Sequence, residues 1–253
     1  MRSVENQQQK WSFGEDNINM RIRFKPWARE ELETSPFYID NPKEYRNKWK
    51  TAFENDNEIR LELGCGKGNF VSQSSIENPN INYIAVDLID AMLGMAKRNI
   101  EVAYGIRKST DKEEIEDEIE KQKVVKNIKL VRYDISNISE ILGPNDEIKR
   151  IYINFCNPWP KGKHHKKRLT FDRNLLVYKN FLKGEIYFKT DDDELFKASL
   201  EYFENAGYEI ISKTYDLHSE DNFWKDQNNV ETEHEKMFTA EGIKIKALIA
   251  RPK

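Results

Sequence analysis

Glu62, Asp87, Asp134 and Asp191 each stand at or near the end of an apolar run, and Asn157 follows a further run. Side chains in such places accept hydrogen bonds from a ligand's hydroxyl, amino or ammonium groups, or they cap the helix that comes next. Glycines beside Glu62 weigh toward the ligand. Residues 59–70 read Ile-Arg-Leu-Glu-Leu-Gly-Cys-Gly-Lys-Gly-Asn-Phe, an apolar strand running into glycines at 64, 66 and 68. Without Cβ atoms, Gly64 and Gly66 let a nucleotide-like cofactor approach the backbone, and the turn's amides are expected to face it. The spacing is not the dinucleotide fingerprint, which needs a glycine where Asn69 stands. Glu62 would repel a phosphate and suits a cationic amino-acid ligand such as S-adenosylmethionine.

The elements that must position these groups follow from the pattern of apolar runs and breakers. A helix over 68–77, stopped by Asn78-Pro79, leads to a strand over 81–88. Asp87 ends that strand, nineteen residues beyond Gly68, where a carboxylate can take both hydroxyls of a ribose. A helix over 89–106 follows, then a strand over 127–133 ending at Asp134, which suits an adenine amino group or a helix N-cap. Strands over 149–155 and 184–190 flank a helix expected at 169–182. Of the acids Asp191, Asp192 and Asp193, two are explained by the start of the next helix, which extends to about 206. Two last strands, over 208–213 and 243–250, enclose a polar loop with Thr232, Glu233, His234 and Glu235, expected to contact substrate. The aromatic-rich residues 29–58 read as short helices covering the sheet edge.

Composition narrows the class. The chain has 253 residues, 38% hydrophobic and 34% charged, with a formal net charge of -3. That describes one solvated domain, over 20–253, with a disordered tail at 1–19 and a charged helical insertion at 108–126. Cys65 and Cys156 are too few for a disulfide scaffold, and no stretch approaches the roughly 20 apolar residues of a membrane span. A cytoplasmic protein with no membrane partner is expected, either monomer or homodimer.

Charge is concentrated in one place. After Asn157-Pro-Trp-Pro come five Lys or Arg and two His within the eight residues 161–168. This density suits a phosphate backbone, with Trp159 offering a flat face beside it. Arg21, Arg23 and Lys25 form a smaller basic stretch, readable as an arm beside the site or as an extended segment packing Phe24 and Trp27 on the core. His164 and His165 have no Cys or acidic companions at metal-ligand spacing, and no structural metal is expected.

Seven strands alternating with helices, a glycine-rich first turn and acids at successive strand tips resemble the Rossmann-like methyltransferases that use S-adenosylmethionine. The resemblance sharpens with Met-Arg-x-Arg-x-Lys-Pro-Trp-Ala at 20–28, Asn-Pro-Trp-Pro-Lys before the basic run, Phe-Lys-Thr-Asp at 188–191 and Thr-Glu-His-Glu at 232–235. Together these resemble the tRNA (guanine-N7-)-methyltransferase family. The resemblance implies an α/β fold with a Rossmann-like seven-stranded sheet and helices on both faces. It also implies methyl transfer to N7 of a guanosine in the tRNA variable loop. Cofactor contacts would fall on Glu62, Gly64, Gly66, Asp87, Asp134 and Asn157, and guanosine contacts on Lys161, Asp191 and residues 232–235. The resemblance also makes Asn157 the catalytic position, where the family usually carries Asp and this chain has a neutral amide with one acceptor oxygen instead of two. Two other readings stay open at this level: a methyltransferase for a small molecule or protein, and a non-catalytic RNA-binding or assembly protein with the same fold.

Overall fold

The computed structural model describes residues 24–108, 124–224 and 229–253. The tail at 1–19, the basic positions Arg21 and Arg23, and most of the charged insertion lie outside them. Pro26 opens the first helix, α1 (Pro26–Glu33), where its fixed φ and missing N–H cost nothing. Trp27, expected in an extended segment, is therefore helical, and Phe24 and Lys25 are the described residues before the helix. Phe24 is 79% exposed and does not pack on the core. Trp27 does pack, under the guanidinium of Arg98 at 3.3 Å.

Alternating strands and helices follow: β1 (Tyr38–Ile39), β2 (Glu58–Leu63), α2 (Asn69–Glu77), β3 (Ile81–Asp87), α3 (Asp90–Ala103), β4 (Ile128–Arg132) and β5 (Ile148–Asn154). After them come α4 (Asp172–Tyr178), β6 (Leu182–Thr190), α5 (Asp193–Asn205), β7 (Tyr208–Thr214), α6 (Glu233–Ala240) and β8 (Lys246–Pro252). The sheet order is β1-β4-β3-β2-β5-β6-β8-β7, parallel through β6, with β8 antiparallel to both its neighbours. The seven expected strands are all present, and the eighth, β1, is a two-residue edge strand inside the segment read as helical. One helix is shorter than expected: α4 ends at Tyr178, and Leu182 already belongs to β6, because its backbone pairs with Ile148.

Period-two alternation sorts the side chains onto two layers. Ile59, Leu61 and Leu63 of β2 join Ile151 and Ile153 of β5 and Phe188 of β6 against Leu175 of α4 and Leu195, Phe196 and Phe203 of α5. The opposite face meets α1, α2 and α3 through Leu32, Phe70, Leu93, Ala96 and Ile100. On that face β2 carries Arg60 and Glu62, both buried, instead of apolar residues. Register sets Glu62 in a row with Tyr152 and Tyr187, and Asn154 in the next row beside Lys189.

The strand order reverses at β2, whose neighbours are β3 and β5, so the crevice for a ligand opens above their C-terminal ends. Helix α3 braces that crevice at close range. A Cβ on Gly94 would lie 2.7 Å from the Cβ of Ala28 in α1, and one on Gly68 would lie 2.7 Å from the Cβ of Ala96. Gly68 also has φ +71°, where an L side chain is strained. Gly68→Ala is therefore expected to destabilise by about 2–3 kcal/mol, a loss of about 5–10 °C in melting temperature for a domain of this size. A melting temperature within 1 °C of wild type, by calorimetry, would show that α3 is not held this tightly.

Candidate functional site

Glu62 is the most deeply placed candidate, 2% exposed at the end of β2. Its Oε1 accepts a hydrogen bond from Asn154 Nδ2 at 3.2 Å, while its Oε2 is buried with no partner. Burial raises its pKa to about 8, with the nearby Asp87 adding to the shift and Asn154 and Lys189 opposing it. A buried acceptor left open at a strand end fits the ammonium of an amino-acid ligand, which would supply both the hydrogen bond and the countercharge.

The glycine turn next to it divides its work. Gly64 and Cys65 donate their amides to Val86 O, and Gly66 donates to Asp87 Oδ2 at 3.0 Å. These amides are thus consumed by the neighbouring strand, and the expectation that they face a ligand is corrected for them. The turn still makes room: a Cβ on Gly66 would meet nothing within 4 Å, so the space above it is open, whereas one on Gly64 would touch Leu169. Asp87 accepts from the amides of Gly66 and Ile89, one on each carboxylate oxygen, each of which keeps lone-pair capacity for a ribose hydroxyl. Burial raises its pKa and the two amides oppose the rise.

Asp134 takes the helix N-cap role read for it. Its Oδ1 accepts from the Ser136 amide and hydroxyl, capping a short 3-10 helix. It also lines a cleft of about 460 Å³ with Leu88, Arg132, Tyr133, Asn137 and residues 40–43. A second cleft, of about 370 Å³, opens beside Lys149, Lys183 and Arg251, at the far end of β5 and β6 from Glu62.

On the other side of Glu62, the loop after β5 is strained. Phe155 and Trp159 have φ of +50° and +44°, a region non-glycine residues rarely adopt, and such strain concentrates at functional loops. Asn157 is exposed, and its Oδ1 accepts from the Trp159 amide at 2.9 Å, which fixes the turn. The run that follows forms a 3-10 helix, Gly162–Lys167, with Lys161, Lys163, Lys166 and Lys167 exposed. Lys167 lies over the Trp159 ring at 4.8 Å and His164 meets its edge. Arg168 is corrected from a phosphate contact to a structural residue: it is 2% exposed and its Nε donates to Pro158 O at 2.7 Å.

Thr232, Glu233, His234 and Glu235 do not lie in a loop. They start α6, with Thr232 and Glu235 forming a capping box. Thr232 and Glu235 are buried, and Glu235 receives Lys189 Nζ at 2.5 Å. Only Glu233 and His234 are exposed. Glu233 pairs with Lys67 of the glycine turn at 2.8 Å, and His234 stacks on Phe155 with centroids 6.3 Å apart. Asp191 is half-buried with its pKa raised by that burial, while Asp192 and Asp193 serve the start of α5 as expected.

Comparison with known proteins decides the family. Residues 56–248 match the family described as "Putative methyltransferase". The chain is 58% identical over 233 residues to the tRNA (guanine-N(7)-)-methyltransferase of Clostridium beijerinckii, covering 91% of this chain and 98% of that one. It is 52% identical over 235 residues to the enzyme of that name from Clostridium perfringens, covering 92% and 99%. The chain belongs to the tRNA (guanine-N(7)-)-methyltransferase family. Among solved structures, an antibiotic-related methyltransferase aligns with TM-score 0.53 at 16% identity, covering 84% of this chain and 94% of that one. The 16S rRNA methyltransferase KamB aligns with TM-score 0.53 at 12% identity, covering 80% and 91%. These two share the fold.

For a tRNA (guanine-N(7)-)-methyltransferase, the geometry adds residues that motif reading passed over: Asn154 on Glu62, Lys67 on Glu233, and Lys189 on Glu235. A lysine inside the apolar run Ile-Tyr-Phe-Lys-Thr was the available signal for Lys189, since a charge on a buried strand needs a partner. Thr-x-x-Glu was the signal for the capping box. Cys65 is a buried free thiol and Cys156 a half-buried one with its pKa pushed up to about 12 by desolvation, so neither is a ready nucleophile. Among the described residues no helix is long and apolar enough to cross a membrane, and no group of three or more His, Cys, Asp or Glu could hold a metal ion.

The raised pKa of Glu62 has a consequence for stability. Folded protein without ligand holds this proton more tightly than unfolded chain does, so stability falls as pH rises from about 4.5 to about 8. Glu62→Gln removes that titration. Relative to wild type, the ligand-free variant is expected to gain up to a few kcal/mol between pH 5 and pH 8, read as a difference in denaturant midpoints. A difference that stays flat with pH would mean Glu62 is already ionised when buried.

Proposed function

We propose that this chain transfers the methyl group of S-adenosylmethionine to N7 of a guanosine in the variable loop of tRNA. The observation that carries the reading is the buried, unpartnered Oε2 of Glu62 beside the open space over Gly66. Glu62 would hold the methionine ammonium, Asp87 the ribose hydroxyls, and Asp134 with Leu88 the adenine end of the cleft. Bound S-adenosylmethionine supplies a methyl group on a sulfonium.

Guanine N7 has an in-plane lone pair and no proton, so the reaction requires alignment more than a base. The lone pair forms the new N–CH3 bond as the S–CH3 pair returns to sulfur, and positive charge passes from sulfur to the guanine ring. Carboxylates near that ring therefore act electrostatically. Asp191 is suited to this work, and Glu233 and His234 flank the opening. Asn157 contributes by holding Trp159 and the start of the basic loop, which places its role in positioning. Lys161, Lys163, Lys166 and Lys167 would grip phosphates, positioning tRNA without reading its sequence. Incubation with labelled S-adenosylmethionine and unmodified tRNA, followed by nucleoside analysis, tests the whole reading. Label in any nucleoside other than 7-methylguanosine would overturn it.

Replacing Lys163, Lys166 and Lys167 together by Ala is expected to lower the slope of log K for tRNA against log salt by about 2–3, at about 0.7–0.9 per phosphate contact. Cofactor affinity should hold. An unchanged slope, in filter-binding titrations, would leave the run as a solvated surface.

Asn157→Asp keeps an oxygen for the Trp159 amide and should methylate at least as fast as wild type. Asn157→Ala uncaps that amide, and a loss of about tenfold in kcat/KM is expected from one hydrogen bond. Steady-state kinetics on one transcript would distinguish them, and an alanine variant as fast as wild type would remove Asn157 from the machinery.

A further inference from the structure

The reaction as drawn gives no work to three aromatic rings at the substrate side. Phe155, on the loop after β5, and His234 and Phe238, on α6, have ring centroids 6.1 to 6.3 Å apart in all three pairings, with planes inclined by 20° to 32°. In a column the outer rings would stand twice as far apart as neighbours, so equal spacings mean that the three lie side by side as one tiled surface. One side of it belongs to the interior, where the buried ammonium of Lys189 lies 5.9 Å from the Phe155 centroid and is paired with Glu235. His234 is exposed and Phe155 and Phe238 are half-buried, which leaves the other side to solvent.

Strand register places this surface. Asn154 of β5 is opposite Lys189 of β6, and the Phe155 amide donates to Lys189 O at 2.9 Å, so Phe155 stands level with Thr190, one residue short of Asp191. On the β2 side, Asn154 donates to Glu62 at 3.2 Å. Phe155 therefore leaves the sheet between the strand tip of Glu62 and that of Asp191. Glu233, the residue before His234, is bonded to Lys67 of the glycine turn, which brings the start of α6 to the same opening. The φ of +50° at Phe155 belongs to the residue that anchors the rings, and strain of that kind persists where the surrounding structure imposes it.

We propose that these three rings are the face on which the target guanine stacks, and that their π electrons stabilise the positive charge the base acquires as N7 takes the methyl group. As the N7–C bond forms, the S–C bonding pair goes to sulfur and the charge moves from the sulfonium into the purine. A neutral purine is held on aromatic rings by stacking. A cationic purine is held more strongly, because the ring face carries negative potential. That increment is realised in the transition state and not in the ground state, so it raises kcat. The inference deepens, and rests on, the reading of the site as one for methyl transfer to guanine N7.

The test is single-turnover methyl transfer to one unmodified transcript, at one pH, with enzyme and cofactor saturating. Wild type is compared with His234→Leu paired with Phe238→Leu, which keeps apolar bulk and removes two π faces, and with His234→Phe, which keeps a ring. The rate constant should fall about tenfold in the double leucine variant, at roughly two- to fivefold for each cation–π contact. The tRNA dissociation constant should change by less than that, and His234→Phe should lose no more than about twofold. Truncating Phe155 would disturb its strained turn, so its ring is altered in place by incorporating mono-, di- and trifluorinated phenylalanine at 155, which weaken the ring face stepwise at nearly constant shape. The logarithm of the rate constant should fall steadily along that series, by about threefold overall.

A flat fluorine series, or a double leucine variant that binds tRNA more weakly but transfers methyl at the wild-type rate once saturated, would overturn the proposal. Should the leucine variant not fold, the fluorine series decides alone. Wild type that forms no 7-methylguanosine overturns the methyl-transfer reading itself. Wild type that forms it, with rates insensitive to fluorine, overturns this inference and leaves that reading standing.

Discussion

Parallel pairing fixes the level at which the central strands stop, and the site inherits its geometry from that register. Leu63 of β2 is opposite Val86 of β3, so Asp87 reaches one residue past the pair, level with the glycine turn. Backbone hydrogen bonds then stitch the tips together: Gly64 and Cys65 to Val86, Tyr133 to Asp87, and Phe155 to Lys189. A slip of one residue on any of these strands would exchange its two faces. Glu62 would then face α4 and α5, and an isoleucine or leucine would line the cofactor end.

Function also explains why one face of the sheet is chemically expensive. Arg60, Glu62, Arg150 and Lys189 are all less than 10% exposed, on strands whose other face carries Ile59, Leu61, Leu63, Ile151, Ile153, Ile186 and Phe188. Apolar residues in such places are usually as stable or more so. The charges are kept in a tight lattice with Tyr152, Tyr187 and Asn154, which narrows the conformations the site can adopt. Stability near the cofactor end is thus exchanged for a fixed arrangement of charge.

Much of this was legible in the sequence because it is written in local signals. Apolar runs gave seven strands, and the acids at their tips marked Glu62, Asp87, Asp134 and Asp191, since a tip residue's level follows from its own strand. What stayed hidden depends on partners distant in sequence. Arg168 looks like the last of a basic run, and only the fold brings Pro158 O against it. Thr232 to Glu235 carry a capping box that could have been read as a helix start, but the partner that buries Glu235 is 46 residues away. The two-residue β1 has too little pattern to be seen at all, being defined by its pairing with β4.

The position of β8 bears on how the site is made. The last strand in the chain lies inside the sheet, between β6 and β7, and its Lys246 binds Asp191 O and the Asp193 carboxylate. Chains emerge from the ribosome N-terminus first, at about 5–20 residues per second. From the emergence of β7 (Tyr208–Thr214) until β8 (Lys246–Pro252) follows, then, β7 has no partner and the carboxyl end of β6 lacks the cation that anchors it. The substrate-side carboxylates Asp191 and Asp193 thus take their final place only when Lys246 has been added, after every strand that carries the cofactor end.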